Sequence, residues 1–78
     1  MTIAETCDRL ELALGWYAVA VMTGNRTVIT CSRECLRALL ELGQLQIETD
    51  KCGAGWHERE PHCARFVNIR KNVIEAVG

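Results

Sequence analysis

Seventy-eight residues make a single domain over 1–78, because a chain this short has too little interior for two cores. An apolar fraction of 49% excludes a disordered polymer, and a net charge of -1 gives no general attraction to nucleic acid or to an anionic membrane. No apolar run approaches the roughly 20 residues of a membrane span, and Met1–Glu5 lacks the basic start and apolar centre of a secretion signal, so the cytoplasm is the expected location.

Thr2 and Glu5 have the form of a capping box, and Ile3, Cys7, Leu10 and Leu14 follow at helical spacing until Gly15 offers a stop. This predicts a first helix over 3–14. The alternation of Leu10, Leu12 and Leu14 with Glu11 and Ala13 leaves a half-buried strand open for the same residues. Trp16–Met22 is apolar throughout, Thr27–Thr30 is a β-branched run, and Thr23-Gly24-Asn25-Arg26 lies between them, which predicts a β-hairpin. Ser32 then caps a helix over 33–42, with Leu36, Leu39 and Leu40 as its apolar stripe and Gly43 as its stop. Gln44–Asp50 is a short connection with room for a strand at Leu45-Gln46-Ile47. Lys51–Cys63 mixes glycine, proline and charge and is expected to be irregular. Asn68 caps a final helix through Val73, Ile74 and Val77 to Gly78. The expected class is α+β, a small zinc-stabilised domain built on a hairpin and the helix after it.

The reason for a metal is the cysteine content. Cys7, Cys31, Cys35, Cys52 and Cys63 are an odd number, and without a secretion signal they favour metal ligation or redox chemistry over a disulfide framework. A hairpin that ends at Cys31 and turns into a helix holding Cys35 would bring two thiolates to one side of a helix start. Zinc takes four ligands in a tetrahedron with sulfur at about 2.3 Å, so two more are needed. Cys52, His57, His62 and Cys63 share one segment and are the candidates, as one site with spare ligands or as a second site. The other readings are a core thiol for Cys7 and surface residues for His57 and His62. An iron-sulfur cluster is the alternative that uses four cysteines.

The stretch Cys31-Ser32-Arg33-Glu34-Cys35-Leu36, after an apolar hairpin, resembles the second half of the treble-clef zinc fingers of the TRASH, MYM and FCS group. The resemblance spans about residues 7–42 and implies that Cys7, with 23 residues between it and Cys31, is the upstream ligand. It departs from the group in the first knuckle, where Ala4 and Leu10 stand near the positions of a paired ligand.

The expected role is a zinc-binding protein-interaction or regulatory module and not an enzyme. Its partner would be another protein, with self-association the simplest case, and Trp56 and the apolar side of the last helix are candidate contact surfaces. Metal sensing or trafficking is the alternative that the resemblance implies. Thiol-redox chemistry at Cys31 and Cys35 is disfavoured by three intervening residues where the common redox motif has two. Nucleic-acid binding through Arg26, Arg33, Arg37, Arg65, Arg70 and Lys71 is disfavoured by the glutamates among them.

Overall fold

In the computed structural model, which describes residues 2–49 and 61–77, every described residue except Thr2, Gly24 and Asn25 is helical. Three helices, α1 (Ile3–Thr23), α2 (Arg26–Thr49) and α3 (Pro61–Val77), make an up-down-up bundle. The expected α+β class is therefore wrong. No strand occurs among the described residues, and neither the hairpin at 16–30 nor the strand at 45–47 exists.

The capping box forms as expected. The Glu5 backbone N–H donates to the Thr2 hydroxyl at 3.2 Å, and the Thr2 backbone N–H donates to the Glu5 carboxylate at 3.1 Å. That backbone donor, and then the Thr2 hydroxyl, hold the Glu5 carboxyl below its ordinary pKa. Its stabilising effect is thus present at neutral pH and is lost as the pH falls through the depressed value.

Why α1 does not stop at Gly15 follows from its stripe. Ile3, Cys7, Leu10, Leu14 and Tyr17 continue at alternating spacings of four and three, and Cys7, Leu10, Ala13, Tyr17 and Ala20 are buried. An exposed glycine inside a helix costs only about 1 kcal/mol, less than burying one large side chain contributes. In Trp16–Met22 an apolar residue at every position hides the helical period, which is why the segment passes for a strand.

Gly24 and Asn25 do make a turn, but between helices. Gly24 adopts a left-handed conformation with φ of 71°. The Asn25 N–H donates to the Ala20 carbonyl at 3.0 Å and the Gly24 N–H to the Val21 carbonyl at 3.3 Å, a Schellman ending. Asn25 then begins α2, its side-chain oxygen accepting the Val28 N–H at 3.2 Å. The β-branched run after it costs only tenths of a kcal/mol per residue, and the Thr30 hydroxyl donates to the Arg26 carbonyl at 3.0 Å. The expected helix over 33–42 is thus the middle of a 24-residue helix, in which Ser32 is buried and not a cap. Likewise α3 starts seven residues before Asn68, with Pro61 in the first helical position, where its missing N–H is no loss.

Side-chain contacts fix the order of packing. The Thr6 hydroxyl lies 2.6 Å from Gln46 Oε1, which sets α2 antiparallel to α1. Arg65 Nη2 donates to Asp8 at 2.7 Å and to Glu11 at 3.0 Å, while the Tyr17 hydroxyl donates to the Ala76 carbonyl at 3.4 Å, so α3 runs parallel to α1. Phe66, Leu10, Leu36, Val73, Thr6 and Cys7 form the fully buried centre.

Gly43, expected to end a helix, is instead a buried position inside α2 where the ring of Phe66 rests on bare backbone. A Cβ there would fall 2.6 Å from Phe66 Cζ and nearer still to Cε1. Gly15 has nothing within 4 Å of its missing Cβ. The same substitution at these two glycines should therefore act in opposite directions. In urea unfolding, Gly15→Ala is expected to stabilise by about 0.5–1 kcal/mol through helix propensity alone. Gly43→Ala, despite the same propensity gain, is expected to destabilise by about 1–3 kcal/mol through overpacking, and Gly43→Ala with Phe66→Leu should recover part of that loss.

Candidate functional site

Placement of the expected ligands depends on α2 being one continuous helix. Cys31 and Cys35 are exposed thiols one turn apart on it, at i and i+4. Cys31 stands six residues into the helix and not at its start. Cys7 and Cys63 are buried in the core, on α1 and α3. Removal from water pushes the Cys7 thiol up; Arg65 draws it down in part, and Glu11 and Asp8 add to the rise. Cys52, His57 and Trp56 lie outside the described residues, and His62 is in the first turn of α3.

Zinc needs four donors converging on one point. Cys31 and Cys35 supply two on one face, and among the described residues no group of three or more Cys, His, Asp or Glu stands close enough together to hold a metal ion. The described residues alone thus do not make a complete zinc site; the expected ligands Cys52 and His57 and the side chain of His62 lie outside them. Among the described residues, order comes from a helical core with Phe66, Leu10 and Leu36 at its centre.

A different feature stands out on the outer face of α1 and α2. Leu12, Trp16 and Val19 recur at i, i+4 and i+7 on the side of α1 away from its core stripe, and are 56%, 57% and 59% exposed. Between the two helices near their turn lies a groove of about 280 Å³ lined by Trp16, Val19, Ala20, Thr23, Asn25 and Val28. A second hollow of about 150 Å³, lined by Arg9, Leu12, Ala13, Trp16, Cys35 and Leu39, continues it along the hairpin, with Trp16 shared by both. The surface is therefore one apolar trough, with polar residues only at its two ends and a thiol partway along.

The end of the hairpin lies beyond the described part of α3. At about 1.5 Å per residue, the 17 residues of α3 span about 25 Å and the 24 of α2 about 36 Å. Among the described residues α3 runs to Val77, with Ala76 beside Tyr17, and past that contact Val21, which continues the core stripe, is 51% exposed and Met22 85% exposed. Residues 12–25 contain no charged side chain at all. A helix segment apolar on every side is normally covered on every side. Sequence reasoning missed this surface by reading Trp16–Met22 as a strand of a β-hairpin; the 14-residue gap in charge between Glu11 and Arg26 was the available signal. Of the last helix, whose apolar side was the other expected contact surface, Phe66, Ile69 and Val73 are buried in the core, while Val67 and Ile74 are exposed.

Comparison with protein-family models, with curated proteins and with solved structures finds no match to the chain. Among the described residues no helix is long and apolar enough to cross a membrane.

The difference in exposure among the cysteines has a direct readout. With iodoacetamide and mass mapping, Cys31 is expected to be alkylated in the native protein, and Cys7 and Cys63 only once the chain is unfolded in urea. Native labelling of Cys7 at the rate of Cys31 would contradict the packing of α1 against α3.

Proposed function

We propose that the chain is a small helical protein-interaction module that acts through the apolar trough on the outer face of α1 and α2. The observation that carries this is the exposure of Leu12, Trp16 and Val19 along a trough whose lining charge, Arg9, stands at one end. Together with Val28 they leave on the order of 400 Å² of apolar surface in water, within the range of the largest patch that isolated proteins expose. Covering that area releases on the order of 10 kcal/mol at about 25 cal/mol per Å². Association costs about 4–15 kcal/mol, so the trough supports reversible binding, with the rim deciding how tight.

Shape favours a helix as the occupant. Two antiparallel helices leave a groove along their line of contact, and a further helix laid in it completes a bundle in the way α3 does on the other side. The aromatic anchor would be Trp16, the kind of residue that dominates interface energetics.

A photo-crosslinking amino acid placed at Trp16 in cells that express the chain should give discrete protein adducts, whereas the same group at exposed Glu75 on α3 should not. Equal background at both positions would remove the module reading.

A further inference from the structure

Resting on that reading, and naming the partner, we propose that the trough is filled by a second copy of this chain, so that two α1–α2 hairpins pack face to face as a symmetric dimer. Area is the first argument. A standard interface takes about 800 Å² from each partner, of which about 56–65% is apolar, and the roughly 400 Å² exposed here supplies most of that apolar share with the rim still to be added.

Charge is the second argument. A two-fold interface brings each patch against itself, so any charge near its centre meets its own like. From residue 12 to residue 25 there is none to meet. A partner selected by charge would leave a complementary charge in the trough, and the nearest one, Arg9, sits at its end. Centred on Trp16 in an antiparallel dimer, Arg9 of one copy falls opposite Thr23 of the other, at the carboxyl end of α1, where a cation is favoured. The interface thus carries its cations where they help and leaves its centre neutral.

Cys35 provides a built-in reporter, because it lines the trough and is exposed in the single chain. Light scattering on the full chain at roughly 100 µM should give twice the 8.7 kDa chain mass, and dilution should return the single mass. Reaction of Cys35 with a thiol reagent should slow by about tenfold when nine-tenths of the chain is dimeric. Trp16→Glu should abolish both effects with unchanged helical circular dichroism, since Trp16 is not part of the core. Should that variant not fold, Val28→Lys on the other wall serves the same test. Glu75→Lys on α3 is the control that stays dimeric. A wild-type chain that remains single at this concentration overturns the dimer, and so does a dimer that survives Trp16→Glu or Val28→Lys. If the single chain instead binds neutral phosphatidylcholine vesicles, a lipid surface takes the place of the second copy. A single-chain result combined with crosslinking at Trp16 overturns only the second copy as partner; loss of the crosslinks as well overturns the module itself.

Discussion

The seat of Phe66 on Gly43 is the contact on which the arrangement of this small protein depends. A phenyl ring against bare backbone lets α3 approach α2 more closely than any side chain at position 43 would permit. That approach brings Val73 and Leu36 into the same dry centre and aligns α3 so that Arg65 reaches Asp8 and Glu11. Paired in this way, Arg65 holds its proton more firmly than a lone guanidinium, first through Asp8 and then Glu11. The ion pairs are solvent-exposed and contribute direction more than stability. With α3 committed to one side of the α1–α2 hairpin, the other side is left to face water.

Local signals were legible in the sequence where they have only one physical meaning. A threonine followed three residues later by glutamate satisfies two orphan backbone donors at a helix start, and Thr2 and Glu5 do so here. The stripe of Leu36, Leu39 and Leu40 was likewise unambiguous, and it lies within α2. Gly24-Asn25 was ambiguous because a left-handed glycine and a capping asparagine serve a helix–helix turn as well as a hairpin. Gly15 and Gly43 were read as stops, but a glycine ends a helix only when the next turn has a better alternative to helical packing. Here one glycine sits on an open surface at small cost and the other makes room for a ring.

The cysteines show how spacing can suggest chemistry that the backbone then redistributes. A Cys-x-x-x-Cys turn entering a helix converges on a metal, whereas the same spacing inside a continuous helix gives two thiols stacked along one face. Cys7 and Cys63, separated by most of the chain, were candidates because they were cysteines, and the bundle uses them as small apolar fillers. Exposure of Trp16 and Val19 was the least legible property. It depends on which side of the hairpin α3 packs against, and that is not encoded near those residues.

The two-residue link at Gly24-Asn25 also shapes the order in which the chain can assemble. Joining α1 to α2 through two residues requires almost no loop closure, so pairing these two helices costs the chain less entropy than bringing in α3. The third helix joins across a longer stretch of chain. A hairpin without α3 in place would present both of its faces at once, and α3 would have to reach its side before another chain does.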